Sequence, residues 1–188
     1  MGMYRMDIAT VARIHTLGYI LEPVKVRFKK SIKMDMLNIT LDASEDESKM
    51  LPRWLARILQ ANGIVDVQEQ DMGIELLRAL SREKIAGEQL TAIRHDFYIG
   101  LKEFISRQVA NRDRLMVSLQ DIVTLRLKKI MDYSGKLRAT TSSITPEIEQ
   151  RLSVEEKALF RALYDAVSMF RGYMLDGSVE EAKLEKGG

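Results

Sequence analysis

Between Arg112 and Tyr133 apolar residues recur at helical spacing, and they recur too often for one stripe. Leu115, Met116, Val117, Leu119, Ile122, Val123, Leu125, Leu127, Ile130 and Met131 cover more of a helical wheel than a single core-facing face requires. A helix of this kind is either buried on two sides or presses one side against another chain. That requirement constrains the rest of the molecule. The chain needs other helices to cover one side of this one, and the surplus apolar surface points to oligomerisation.

The neighbouring segments supply such helices. Ile74, Leu77, Ala79 and Leu80 mark one that ends near Gly87. Phe97, Leu101, Phe104, Ile105 and Gln108 mark another, with Asp96 as N-cap. Gly135 to Thr145 reads as a polar break, and Thr145-Pro146-Glu147 as the start of a helical turn. Ser153-Val154-Glu155-Glu156 is a capping box, with serine at the cap and glutamate three residues on. The box opens a helix with Leu159, Ala162, Leu163, Ala166, Val167, Phe170 and Tyr173 on one stripe, ended by Gly177. The charged tail, Val179 to Gly188, reads as frayed.

Before Asp71 the pattern differs. Residues 7–22 fit a short helix or irregular lead-in, stopped by Pro23. Val24-Lys25-Val26-Arg27-Phe28 alternates apolar and basic, the period of a half-buried strand. Met36 to Leu41 reads as a second strand and the acidic run 42–49 as an exposed loop. Pro52 to Asn62 is a helix with proline at its first position, an apolar face of Trp54, Leu55, Ile58 and Leu59, and Gly63 beyond its end. Ile64 to Val67 is a short strand. The expected fold is therefore α+β, predominantly α: a small N-terminal β-rich domain (1–70, strand-strand-helix-strand) followed by a C-terminal helical bundle (71–188). About 50 residues of strands and one helix form a marginal core, so the small domain is expected to dock on something.

Several function classes lose their usual signatures. There is no cysteine, hence no disulfide, thiolate metal site or cysteine nucleophile. No glycine-rich phosphate loop, GxSxG, HExxH or calcium-loop pattern occurs. The two histidines are His15 and His95; His95-Asp96 could be half of an acid–base pair, although a histidine beside a helix-start aspartate is more commonly structural. The reading is of a non-enzymatic protein with neither cofactor nor metal. Met1 to Ile8 has no apolar signal-peptide core and no segment reaches the length of a membrane span, so a cytoplasmic protein without membrane attachment is expected.

Lys25, Arg27, Lys29, Lys30 and Lys33 fall close together with no acid among them. On a strand, Lys25 and Arg27 share a face, which could meet phosphates; equally, the lysines could be the solvated edge of a small sheet. The formal net charge of only +2 is too small for a nucleic-acid coat. Arg126, Lys128 and Lys129 form a second cluster, read as the dipole-favoured end of the long helix.

Four stretches in order resemble the GINS replication proteins. Leu51-Pro52-Arg53-Trp54-Leu55-Ala56-Arg57-Ile58-Leu59, leading to Gly63-Ile64-Val65, is similar to that family's small strand-rich domain, whose single helix opens with Pro-x-Trp-Leu-Ala. Asp96-Phe97-Tyr98-Ile99-Gly100-Leu101-Lys102-Glu103-Phe104-Ile105 resembles the D-F-Y start of a helix in its helical domain. Leu125-Arg126-Leu127-Lys128-Lys129-Ile130 resembles the R-L-x-K-I run of its long helix, and Ser153 to Phe160 its L-T-x-E-E helix start. The order, small domain first, resembles the class that in archaea pairs with a paralogue of reversed domain order. The resemblance implies a scaffold without catalytic activity, a tetramer built through helical domains. It also implies partnership with the MCM ring and a RecJ-like protein in the replicative helicase, at replication forks. On this reading Leu115, Leu119, Ile122, Val123, Arg126 and Ile130 are the partner-binding residues. Lys25, Arg27, Lys29 and Lys30 are a secondary DNA contact or, on the alternative reading, the device of a small nucleic-acid-binding regulator.

Overall fold

The structure is a computed structural model that describes residues 8–36, 39–137 and 145–176. Two compact units divide the described residues between Asp71 and Met72, residues 8–12 grouping with the second.

The small unit follows α1 (Ile8–Leu21) with β1 (Pro23–Phe28), β2 (Ile32–Met36), β3 (Ile39–Ala43), β4 (Ser48–Pro52), α2 (Arg53–Ala61) and β5 (Val65–Val67). β1 alternates as its sequence requires: Val24, Val26 and Phe28 are buried, Lys25 and Arg27 exposed. It is the central strand of an antiparallel sheet ordered β4-β1-β5, with Val26 opposite both Lys49 and Val67. β2 and β3 form a separate antiparallel hairpin. Its Leu41 and Ala43 join Val24, Val26, Phe28, Leu51, Leu55, Ala56, Leu59 and Val65 in one core. The expected second strand, 36–41, is thus a hairpin seen in part, and its residues 37 and 38 lie outside the described ones. The expected acidic loop, 42–49, contains the end of β3, a turn and the start of β4. Its acids obscured the strands because they occupy the turn, where Asp46 takes a left-handed φ of 65° and its amide reaches Phe28 O at 2.8 Å.

Pro52 is the residue before α2 rather than its first turn. Gly63, at φ 68°, ends the helix, a conformation in which a Cβ would be strained. The face α2 buries is Leu55, Ala56 and Leu59, together with Arg53; Trp54 and Ile58, expected inside, are 38% and 52% exposed. Arg53 explains the rotation. Its guanidinium lies 3.8 Å over the Tyr19 ring, its Nε donates to Tyr19 O at 3.0 Å, and it pairs with Glu69 and Glu22. A charge fully provided with partners takes the position an apolar residue was expected to hold.

The helical unit contains α3 (Met72–Ile85), α4 (Phe97–Ser106), α5 (Arg112–Leu137), α6 (Pro146–Glu149) and α7 (Val154–Arg171), the last continuing as a π-helical turn, Gly172–Asp176. Met72, Leu76, Ala79, Leu80, Ile93, Phe97, Leu101 and Ile122 form one core; Leu90, Ile130, Leu152 and Phe160 form a second. Ile74 and Leu77 of α3, expected inside, are exposed, because Glu75 and Glu83 share the buried face with the apolar residues. Asp96 does not cap α4; its carboxylate is taken by the Arg94 guanidinium, with Nε at 2.8 Å. Gly135 belongs to α5, so the polar break begins later than its composition suggests, and residues 138–144 lie outside the described ones. Gly177 and the tail from Val179 lie outside them as well.

Candidate interaction surface

α5 is organised around a charge. Arg126 and Lys129 lie mid-helix, not at a dipole-stabilised end, and both are buried. Every N–H of the Arg126 guanidinium is used. Nε donates to Glu156 Oε1 at 2.7 Å. Nη1 donates to Glu83 Oε2 at 2.7 Å and Thr91 O at 2.8 Å. Nη2 donates to Glu156 Oε2 at 2.8 Å and Arg151 O at 3.0 Å. Lys129 Nζ likewise makes three bonds, to Glu83 Oε1 at 2.7 Å, Glu83 O at 2.8 Å and Gln89 O at 2.9 Å. Thr91 adds its hydroxyl and amide to Glu83, and Tyr98 donates to Glu156 Oε1 at 2.7 Å.

Glu156 is also the capping-box glutamate. Its amide donates to Ser153 Oγ, and Ser153 N donates to its Oε2, both at 3.2 Å. One side chain therefore starts α7 and ties that start to α5 and α4. Two cations and two carboxylates are balanced in the interior, with their hydrogen-bonding capacity used, which is the condition for tolerating buried charge. Burial alone would raise the Glu83 carboxyl. Hydrogen bonds from Lys129 and Thr91 and the charges of Arg126 and Lys129 instead hold it below the usual carboxylate range. Burial would likewise favour a neutral Arg126, but the bonds and charge of Glu156, with Glu83, push its pKa higher still. Burial and the adjacent Glu156 push the Tyr98 phenol well above its ordinary value, so it stays a donor. Asp96 follows the same logic as Glu83: burial opposes ionisation, Arg94 and His95 outweigh it, and the carboxyl is lowered. An aspartate committed to Arg94 in this way is a structural anchor, and the His95 carbonyl accepts from Val154 N at 3.1 Å.

The expected partner face is therefore divided. Ile122, Arg126 and Ile130 are fully buried in the chain's own interior and present nothing to a partner; Leu115 and Leu119 are half-buried against the first core; Val123 is exposed. The apolar residues that do face solvent lie one position round the wheel. Met116, Val123, Leu127 and Met131 follow at intervals of seven, four and four, one continuous stripe on the side of α5 away from its cores. A second exposed apolar group closes α7: Met169 and Phe170, then Tyr173, Met174 and Leu175 of the π-helical turn. Of the expected α7 stripe, Leu159 and Leu163 pack against the second core, while Ala162, Ala166, Phe170 and Tyr173 face solvent.

The basic run of the small unit behaves differently. Lys25 and Arg27 share the exposed face of β1, and Lys29 and Lys30 follow in the turn. Lys29 meets Asp66 at 2.7 Å, Arg27 meets it at 3.9 Å, and Lys33 meets Asp42 at 3.9 Å. Carboxylates distant in sequence thus return beside the run and offset part of its charge.

The family model of the GINS complex protein helical bundle domain, Sld5, matches residues 71–175, more than half of the chain. The chain belongs to the GINS complex protein family. Comparison with curated proteins finds no match. The matched residues include the Arg126 network, the exposed α5 stripe and all of α7. As a member of the family, the chain is a GINS complex subunit with a role in DNA replication. None of its described helices is long and apolar enough to cross a membrane.

Sequence reasoning passed over Glu83, Lys129 and Glu156 as a set. The signal was present: Arg126 continues the Ile122–Ile130 stripe at four-residue spacing, and a cation in a core position of a helix requires buried carboxylates.

Proposed function

We propose that this GINS subunit is a non-enzymatic scaffold. Its helical bundle assembles with a GINS paralogue of reversed domain order into a heterotetramer, which joins the MCM ring and a RecJ-like protein in the replicative helicase. The observation that carries this reading is the α5 stripe, Met116, Val123, Leu127 and Met131, exposed on a helix whose opposite side is already filled. A solvent-facing apolar stripe on a rigid, charge-locked helix is the surface a partner helix buries. The family match supports association with other GINS subunits, and the resemblance of the segments from Leu51 to Phe160 is what suggests MCM and a RecJ-like protein.

The test is co-purification. The tagged chain, expressed in cells of its source at native level, should retain the paralogue, MCM and a RecJ-like protein in stoichiometric amounts. Leu127→Glu should lose the paralogue first. Recovery of the chain with nucleic acid alone, released by salt, would favour the alternative, a nucleic-acid-binding regulator using Lys25, Arg27, Lys29 and Lys30.

A further inference from the structure

The chain contains eleven methionines and no cysteine, so thioethers are its only oxidisable sulfur. Their placement in the helical unit is uneven. Met72 is buried in the first core, at 8% exposure. Met116 and Met131 are 48% and 53% exposed, and they stand at the two ends of the α5 stripe. About four turns of helix, roughly 22 Å, separate them. Val123 and Leu127 lie between, and none of the four side chains carries a hydrogen-bond donor. The backbone N–H groups beneath them are used within the helix. The stripe is therefore apolar only while its two sulfurs stay reduced.

Hydrogen peroxide oxidises a thioether in one step. The sulfur lone pair attacks one peroxide oxygen and the O–O bond breaks. The proton on the transferred oxygen passes to the departing hydroxide, leaving a sulfoxide and water. Two electrons have moved from sulfur to peroxide. The product side chain is polar and chiral and carries a strong acceptor. In the free chain that acceptor is solvated. Under a partner helix it loses its water, and nothing on the stripe can donate to it. An unpaired buried acceptor weakens association on the order of tenfold for each sulfoxide.

We propose that Met116 and Met131 are oxidation sites through which peroxide controls assembly. Their sulfoxides close the α5 stripe to the GINS paralogue, whereas the assembled stripe shields both sulfurs. This regulation rests on the α5 stripe being the seat of the paralogue. It sets an order of events: peroxide acts on the unassembled subunit and leaves the finished complex alone. Because reductases return methionine sulfoxide to the thioether, the block is reversible.

The experiment is partial oxidation of the full chain with hydrogen peroxide, then capture on a limiting amount of immobilised paralogue. Met50, Met116, Met131, Met169 and Met174 fall in separate tryptic peptides, so mass spectrometry reads each sulfoxide on its own. Expected is on the order of tenfold less sulfoxide at Met116 and at Met131 in the captured chains than in those left behind. The exposed Met50, Met169 and Met174 should show no difference, and buried Met72 should stay reduced in both fractions. Equal sulfoxide at Met116 and Met131 in the two fractions overturns the proposal, as does depletion at Met169 and Met174 instead. A Met116→Leu, Met131→Leu chain should keep, after full peroxide treatment, whatever affinity it had before; a loss like that of the wild type also overturns it. Oxidation of the preformed complex should spare Met116 and Met131 while Met50 reacts, and sulfoxide at both would contradict the shielding. If the untreated chain does not bind the paralogue, the α5 assignment itself fails and this regulation with it. Binding that ignores both sulfoxides overturns the regulation alone.

Discussion

Replacing Arg126 by methionine tests the charge network that fixes the bundle. Methionine has comparable reach and no donors. Glu83 keeps Lys129 and Thr91 after the substitution, so its charge stays compensated. Glu156 keeps only the Tyr98 hydroxyl and the Ser153 amide and loses its cation. The cost is therefore that of one uncompensated buried carboxylate, about 3–5 kcal/mol. For a chain of this size that corresponds to a fall in Tm of roughly 6–20 °C. Urea denaturation followed by circular dichroism at pH 7 gives the value directly. The double variant Arg126→Met, Glu156→Gln removes the stranded charge and should recover part of the loss, with a coupling of about 0.5–3 kcal/mol. A loss below about 1 kcal/mol for Arg126→Met, or strict additivity in the double variant, would refute the reasoning. Either would mean that water, not Arg126, satisfies Glu156.

Acid should act through the same groups. Glu83 and Asp96 have folded pKa values below the ordinary ones, so below the usual range the unfolded chain binds more protons. Their contribution is present above about pH 4–5 and is lost as pH falls through the folded values; the urea midpoint should drop steeply below about pH 4, and less steeply in Glu83→Gln. Ser153→Ala removes the cap of α7 and should cost about 0.5–2 kcal/mol, whereas Ser153→Thr should restore most of it. In the small unit, Arg53→Met strands Glu69 beside Arg57 alone and removes the stacking on Tyr19. Because Glu69 is part-exposed and keeps Arg57, the cost should be about 1–2 kcal/mol, seen as lost amide protection in β1 by hydrogen exchange.

Elements with a single dominant period were readable in the sequence. β1 alternates cleanly, and Ser153 with Glu156 announces α7, because each signal is local. What was not readable depends on partners remote in sequence. Trp54 and Ile58 look like core residues until Tyr19, Glu22 and Glu69 hold Arg53 inside. Ile122 and Ile130 look like interface residues until Glu83 and Glu156, 43 and 30 positions away from Arg126, hold that arginine between them. The surplus of apolar residues on α5 was evident, but which half lies outside depends on where the buried charges are met. The same holds for the basic run, whose neighbour Asp66 arrives through β5.

Assembly through the bundle is tested most directly by mixing the chain with a GINS paralogue of reversed domain order and measuring mass by light scattering. Four chains, two of each kind, are expected, with Leu127→Glu in α5 releasing the paralogue while its own fold stays intact by circular dichroism. Two components that migrate independently at micromolar concentration, or a complex indifferent to Leu127→Glu and Val123→Glu, would contradict a scaffold that works through the exposed stripe of α5.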